Sequence, residues 1–537
     1  MHDGGTNPLG TGTSATLGAA PLSESPTMFP VTVRLAHPAR LALVLGLLGL
    51  GWRIVLTVLG VPPTNSDEAI MGLAALHVAQ GNGVPTYFYG QHYMGTIEAL
   101  LAAPLVAVFG PSVIALRVVT LVLYAAMLVL VFHLVRRVFS PGLAVFTVGL
   151  LALGGDRLVL NQLQAIGGYP ESVPMVAGLL LLTYGLVTRR LTQWWAYAGW
   201  GLLFGLIVWN HWSPAPYLLG ALVVLLAFRV LTWRTAAVTF GALLVGALPL
   251  LIDNVRAEAA DRSINVFLAL NAAGPAAPLS ARIMHGGFSG LPGALGLCEV
   301  DRCAGWTQVW APVIVALLIV ATVAAIRGLR DTDRPERAKH SIRLVLAAAA
   351  LVSLATYLNS PAAGGDPMGT SRYLAMLVLS VPAAIWPVWE VAGRWTARAL
   401  IPAVALGTAL ALTMAFATVS LVRHIPRYQA VAARQSALIA ALDSAGLTRI
   451  HTDYWTCYWI TYTTGERIVC GVLSDDAGKG HNRYPPHWRD EAQAVVASIG
   501  SPLAAVLAER GVRSEPPLEP MMTVAGYVIY GALRRAP

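Results

Sequence analysis

The sequence predicts a polytopic α-helical membrane protein with a small C-terminal α/β domain. Apolar residues make up 56% of the 537 residues and charged residues only 12%, whereas soluble domains carry about 25% charged residues. The mean hydropathy is +0.64, and apolar runs of about 18–20 residues, the length that crosses a bilayer, recur along the chain. This composition excludes a purely soluble protein and a disordered one.

Eleven segments have the length and composition of membrane spans. They are 40–60, 112–135, 140–155, 171–188, 195–210, 214–230, 235–252, 307–327, 343–359, 372–390 and 399–421. Another apolar stretch, 96–109, contains Pro104 and is short for a span, so we expect it to lie at the membrane interface or to re-enter. Residues 1–35 are rich in Gly, Ser, Thr and Pro, which predicts a disordered cytoplasmic tail.

The basic residues indicate the orientation. The formal net charge is +9, but the arginine clusters of the membrane domain lie in short gaps between spans, which is the positive-inside bias of a membrane protein and not a nucleic-acid surface. If 96–109 does not cross, the basic clusters from Arg136-Arg137 onward share one side with the N-terminus, and the gap 61–95 on the other side contains no Lys or Arg. We therefore expect a multi-pass plasma-membrane protein with a cytoplasmic N-terminus and an external C-terminus.

This orientation places three larger segments outside the cell. They are the first external loop, 61–111 (the first loop below), the large external loop 253–306, and residues 422–537 (the tail). The spans themselves form a membrane domain, 36–421. The tail is predicted to fold as a small α/β domain, with helices at 429–446, 488–499 and 502–510 and strands at 448–452, 467–471 and 522–532.

All four cysteines lie in the predicted external segments. Cys298 and Cys303 are in the large loop, and Cys457 and Cys470 are in the tail. Two disulfides would suit an oxidising compartment, and four free thiols are the alternative.

Two adjacent acids in the first loop are the leading candidates for a functional site. Asp67 and Glu68 follow Asn65, and a capping residue with Glu three positions later is typical of a helix start. Capping is therefore one interpretation. The other is a carboxylate that accepts a proton or binds a metal, because the loop carries no cation of its own.

A group of aromatic, amide and imidazole side chains follows in the same loop. It includes Gln91, His92 and Tyr93, and Glu98 lies shortly after it. An interfacial aromatic belt is the alternative explanation for the tyrosines.

The run TNSDEAIMGLAALHVAQGNGVPTYFYGQHYMGTIEALLAAPLVAVFG, followed by SVIALRVVTLVL, resembles the GT-C superfamily of membrane glycosyltransferases. The likeness is greatest to the bacterial branch of glycosyltransferase family 39 that includes the lipopolysaccharide galacturonosyltransferases. Protein O-mannosyltransferases and aminoarabinose transferases are more distant relatives. The resemblance is specific over about 61–135 and rests on hydropathy alone over the remaining spans. In this superfamily an Asp, often in an Asp-Glu pair, lies in the first external loop.

The resemblance implies that 36–421 is a catalytic domain. The implied reaction moves a sugar from a polyprenyl-phosphate donor to an envelope glycan, lipid or protein on the outer face, with inversion. Asp67 is then the general base and Glu68 its partner. If a divalent metal takes part, Asp67 and Glu68 are its ligands. No other cofactor is implied.

A leaving phosphate needs positive charge or hydrogen-bond donors. The first loop lacks the basic residue that the aminoarabinose enzymes carry there. The resemblance offers Arg372 with Tyr373 instead, as a short match to an Arg-Tyr pair, although an interfacial snorkelling arginine is the alternative. Gln91, His92 and Tyr93 are further candidates for binding the donor phosphate or sugar.

Three more residues are candidates for acceptor or secondary contacts: Asp156, Glu98 and His211. Asp156 has a simpler explanation as an ion pair with Arg157. The competing function is a transporter or flippase of lipid-linked glycans. Such a protein is expected to carry acids in the middle of its spans and to show internal repeats, and neither feature is evident in this sequence.

Overall fold

The computed structural model describes residues 37–272, 277–392, 397–489, 491–513 and 520–531. The predicted cytoplasmic tail, 1–35, lies outside the described residues. Within them, seven helices are long and apolar enough to cross a membrane: Pro38–Val58, Val113–Val138, Tyr169–Val187, Gly305–Gly328, Arg334–Asn359, Pro367–Ala392 and Leu400–Ser444. Two bent pairs bring the number to nine if each pair is one span: Pro141–Ala152 with Asp156–Leu163, and Trp233–Gly246 with Leu248–Arg256.

The remaining two of the eleven predicted spans are shorter helices. Trp194–Asn210 has 17 residues and Ala215–Ala227 has 13, less than the roughly 20 residues of a full crossing. The segment predicted not to cross is the 13-residue helix Ile97–Phe109, which ends at Gly110 in a left-handed backbone conformation with φ of 74°. The protein is therefore a polytopic helical membrane protein, with seven to nine candidate spans among its described residues.

Shorter helical segments fill the loops and the tail. The α-helices are Ser66–Ala79, Ser263–Ala272, Leu279–Arg282, Leu291–Ala294, Tyr454–Thr463 and Pro502–Arg513. A π-helical segment spans Ile283–Gly290, and 3₁₀ segments span Ala259–Asp261, Pro361–Gly364, Ser371–Ser380 and Pro485–His487.

The tail contains a five-stranded mixed sheet. Its strands are β1 (Arg449–Thr452), β2 (Val469–Val472), β3 (Ala494–Ser498), β4 (Pro520–Val524) and β5 (Tyr527–Gly531), in the order β2-β1-β3-β5-β4. β1 pairs in parallel with β2 and β3, and β5 pairs antiparallel with β3 and β4. The strands predicted at 448–452 and 467–471 are confirmed as β1 and β2.

Two tail predictions were wrong, and a third needs a correction of its boundary. The predicted helix 488–499 contains β3, because a fully apolar run in a central strand lacks the alternation that marks a half-buried one. The predicted strand 522–532 is a hairpin of β4 and β5 around Ala525-Gly526, both with positive φ. The predicted helix 429–446 is confirmed as helical through Ser444, but it is the end of the 48-residue helix Ala397–Ser444, so the predicted boundary at 421/422 falls inside a helix.

The tail and the first loop share one hydrophobic core. Ile70 and Leu73 of the helix Ser66–Ala79 belong to the same buried cluster as Tyr458 and Ile460 of the tail. A Cβ on Gly72 would lie only 2.6–2.7 Å from three ring atoms of Tyr462. The absence of a side chain at Gly72 thus permits the close approach that places the tail over the first loop.

Candidate functional site

Asp67 lies where three distant parts of the chain meet. The helix Ser66–Ala79 begins here, and Asn65 caps it by accepting a hydrogen bond from the backbone N–H of Glu68 at 2.9 Å. Nη1 of Arg372 donates to Oδ2 of Asp67 at 2.7 Å, and the Tyr454 hydroxyl donates to Oδ1 at 2.5 Å. The predicted cap is therefore present, and the structure also brings Arg372 to Asp67.

Burial distinguishes the members of this group. The Asp67 side chain is 9% exposed, whereas that of Arg372 is 31% exposed, so the arginine is the open side of the pair. Burial and the neighbouring Asp67 carboxylate raise the pKa of Tyr454 well above its ordinary value. Tyr454 therefore keeps its proton and acts as a donor to Asp67.

A second arginine reaches the site from the tail. The guanidinium of Arg483 lies 5.4 Å from the ring centre of Tyr454. With the amide oxygen of Gln91 turned toward it, Arg483 donates two hydrogen bonds to Gln91, at 3.0 and 2.9 Å. Nε of Arg372 and Nε of Arg483 are both buried without a hydrogen-bond partner among the described residues. Two guanidinium groups thus retain an unused donor each.

Tyrosines border the two arginines. Burial and the nearby Tyr373 raise the pKa of Tyr93 to about 12, against the opposing effect of Arg483 and Arg372. Tyr373 is 39% exposed, and its ring centre lies 5.6 Å from the Arg372 guanidinium. The predicted residues Asp67, Arg372, Tyr373, Tyr93 and Gln91 therefore occupy one region.

Glu68 has different partners from Asp67. Its two carboxylate oxygens accept from Nε and Nη2 of Arg117, each at 2.9 Å, and both side chains are fully buried. Arg117 also donates to the Pro62 carbonyl at 2.7 Å. The first loop therefore does have a counter-charge, supplied by the helix Val113–Val138. No group of three metal-ligating side chains within the described ranges includes Asp67 or Glu68.

His92 and Asp156 have partners of their own. His92 stacks on Tyr87 with ring centres 5.6 Å apart and lies 4.0 Å from an Asp253 oxygen. Asp156 accepts from the Tyr428 hydroxyl at 2.5 Å and lies 3.6 Å from Nε of Arg157. The ion pair expected as the simpler explanation of Asp156 is present.

Glu98 and His211 are buried next to the start of the helix Tyr169–Val187. Oε2 of Glu98 accepts from the Gly167 backbone N–H at 3.0 Å, and Nδ1 of His211 accepts from the Ser213 backbone N–H at 3.0 Å. Burial and the adjacent Glu171 raise the pKa of Glu98 well above its ordinary value. No described contact joins either residue to Asp67.

Both candidate disulfides are formed. Cys298 pairs with Cys303, and Cys457 pairs with Cys470. The second disulfide joins the helix Tyr454–Thr463 to strand β2. This helix begins with Tyr454, which donates a hydrogen bond to Asp67.

A cavity of about 1240 Å³ lies among the membrane helices. Its lining is almost entirely apolar and includes Leu377 and Val378, from the same 3₁₀ segment as Arg372. Asp67 and Arg372 do not line it.

Three residues at this site were not predicted to be there: Tyr454, Arg483 and Arg117. Arg117 carried a signal, since a charged residue inside an apolar run must find a partner. No local pattern links Tyr454 or Arg483 to the first loop, because they lie 387 and 392 residues beyond Asp67 and Gln91.

The fold of this chain is similar to that of solved membrane proteins. No protein-family model matches the chain, and no curated protein does. Among solved structures, ArnT from Cupriavidus metallidurans bound to undecaprenyl phosphate is similar with a TM-score of 0.57 and 13% identity over 92% of this chain and 97% of that one. The apo state of the same ArnT has a TM-score of 0.55 and 13% sequence identity, and the match covers 91% of this chain and 97% of ArnT. The apo oligosaccharyltransferase from Archaeoglobus fulgidus has a TM-score of 0.47 and 14% sequence identity, and the match covers 87% of this chain and 70% of that protein. The similarity to the two ArnT structures shows that the chain has an ArnT-like membrane fold.

Proposed function

We propose that this protein is a membrane glycosyltransferase that moves a sugar from a polyprenyl-phosphate donor to an envelope acceptor on the extracytoplasmic face. The observation that carries the proposal is the Asp67–Arg372 pair, completed by Tyr454. A structure of the same fold binds undecaprenyl phosphate. The first loop, with Asp67, and the tail face outward, and the N-terminus is cytoplasmic.

Asp67 accepts the proton of the acceptor hydroxyl as that hydroxyl attacks the anomeric carbon. A positioned base of this kind contributes about 10²–10⁴-fold to the rate. Arg372, whose side chain is 31% exposed, and Arg483 supply positive charge to the leaving phosphate, where stabilising the developing charge is usually the largest catalytic contribution. Leu377 and Val378 connect the Arg372 segment to the apolar cavity, which has room for part of an isoprenoid chain.

The test separates an enzyme from a transporter. Deletion of the gene is expected to cause one polyprenyl-phosphate sugar to accumulate and one envelope sugar to disappear, both identified by mass spectrometry. The purified protein in detergent is then expected to convert that lipid to polyprenyl phosphate in the presence of the acceptor. Detergent micelles offer no second compartment, so a flippase would leave the lipid intact, and that result would contradict the proposal.

Tyr454→Phe is expected to lower the transfer rate about tenfold or more. The substitution removes a hydrogen bond to a carboxylate, an interaction typically worth about 1.5–3 kcal/mol, and leaves the ring in place. The rate is compared with that of Tyr462→Phe, which loses a hydrogen bond to the Ser112 carbonyl from the same tail helix. Equal rates for the two variants would show that Tyr454 does not position the base.

A further inference from the structure

A second polar cluster joins the first loop to the tail. His77 lies near the C-terminal end of the helix Ser66–Ala79, about 15 Å along the axis from Asp67. Its Nε2 lies 3.0 Å from Oε1 of Glu466, and Nε2 of His487 lies 2.7 Å from the same oxygen. Each of the three side chains has one possible metal-ligand atom, and these three atoms all lie within 4.8 Å of one another.

The three side chains are sheltered from solvent. The imidazoles of His77 and His487 are 6% and 7% exposed, and Glu466 is 24% exposed. Tyr484 packs over both rings, with centre-to-centre distances of 4.9 Å to His77 and 4.5 Å to His487. A site enclosed in this way retains a bound ion and limits access of water to it.

We propose that His77, Glu466 and His487 bind a zinc ion that fixes the tail against the helix that begins beside Asp67. Two imidazole nitrogens and one carboxylate oxygen are an established zinc ligand set, with water in the fourth position. Ligand atoms about 2.0–2.1 Å from a tetrahedral zinc lie about 3.3 Å from one another. The two nitrogens are already 2.7 and 3.0 Å from the shared oxygen, so small side-chain shifts admit the ion.

The surroundings of the ligands favour a metal over a simple hydrogen-bonded network. Nδ1 of His77 lies 2.5 Å from the Tyr89 hydroxyl, which leaves Nε2 free to bind metal and orients the ring, as outer hydrogen bonds do in zinc sites. Glu466 has a left-handed backbone with φ of 64°, a conformation disfavoured in residues that carry a Cβ. Such strain is concentrated at functional positions, and here it lies at the residue that contacts both imidazoles.

The location suits a structural role. The ligands come from helix Ser66–Ala79, the turn after helix Tyr454–Thr463 and the 3₁₀ segment Pro485–His487. At the Asp67 site, Tyr454 begins the helix that leads into the Glu466 turn, and Arg483 lies two residues before the segment that carries His487. An ion held at His77 therefore stabilises the position of both residues over the first loop.

The experiment measures metal directly. The full chain is purified in detergent with an affinity tag that contains no histidine, stripped with a chelator, incubated with zinc, and freed of unbound ion by gel filtration. Plasma mass spectrometry is expected to find one zinc per chain. X-ray absorption at the zinc edge is expected to show two imidazole ligands and otherwise oxygen. Wild-type protein that retains no zinc after this treatment overturns the proposal.

Variants test the ligand assignment. Glu466→Gln and His77→Ala are expected to lose the zinc, whereas His481→Ala, which removes an exposed tail histidine outside the cluster, is expected to retain it. The midpoint of thermal unfolding should fall on chelation and recover with zinc in wild type and His481→Ala only. Zinc retained equally by Glu466→Gln and wild type contradicts the proposal. A misfolded variant is recognised by its aggregation on gel filtration, and the wild-type absorption spectrum then decides the question alone.

Discussion

Asp67→Asn is expected to lower the rate of sugar transfer by about 10²–10⁴-fold, the usual contribution of a positioned general base. The amide has nearly the shape of the carboxylate, and its oxygen still accepts from Tyr454 or Arg372. What it loses is the ability to take a proton from the acceptor hydroxyl. The fold is therefore expected to persist while the chemical step slows. The measurement is the initial rate of polyprenyl phosphate release by purified protein.

The matched control is Asp301→Asn. Asp301 also accepts from an arginine, Arg427, at 2.6 Å, but 49% of its side chain is exposed. We expect wild-type rates from this variant. If the transfer rate of Asp67→Asn equals that of Asp301→Asn, Asp67 only stabilises the start of its helix and the proposed mechanism is wrong. If Asp67→Asn is inactive and aggregated, the rate is uninformative about the base, so both variants are first compared by thermal unfolding.

Arg117→Met is expected to destabilise the protein by about 3–5 kcal/mol, because it leaves the fully buried Glu68 carboxylate without its partner. The double variant Glu68→Leu/Arg117→Met removes both charges and is expected to recover most of that loss, since apolar replacements of buried ion pairs are often neutral. Stability is measured by unfolding of the detergent-purified protein. Wild type, Glu68→Leu, Arg117→Met and the double variant together form a double-mutant cycle.

The exposed pair Glu299–Arg302 supplies the comparison. The Arg302 side chain is 75% exposed, so Arg302→Met is expected to cost about 0–1 kcal/mol. An equally small cost for Arg117→Met would show that the Glu68 ion pair does not hold the first loop. A large loss of stability in Arg117→Met that the double variant recovers would show that Glu68 supports the position of Asp67. It would also argue against the alternative in which Glu68 binds a metal beside Asp67.

Local patterns predicted much of the architecture. Apolar run length identified each of the seven candidate membrane helices and the two bent pairs of the described residues. Pro104 and the short length of 96–109 marked the helix Ile97–Phe109 as different. The Asn65 cap was predictable because the signal spans only three residues. The tail was harder, because the apolar run of β3 fits a buried strand or a buried helix equally well.

The sequence by itself determined the class of protein, the position of its candidate membrane helices and the acid most worth testing, because these depend on composition and on neighbours a few residues apart. Only the tertiary structure decided which charges pair. Asp67 and Glu68 are adjacent in the chain, yet one meets Arg372 and Tyr454, 305 and 387 residues away, and the other meets Arg117. A helical turn directs neighbouring side chains about 100° apart, so adjacent carboxylates face different parts of the fold, and packing alone selects the partner of each.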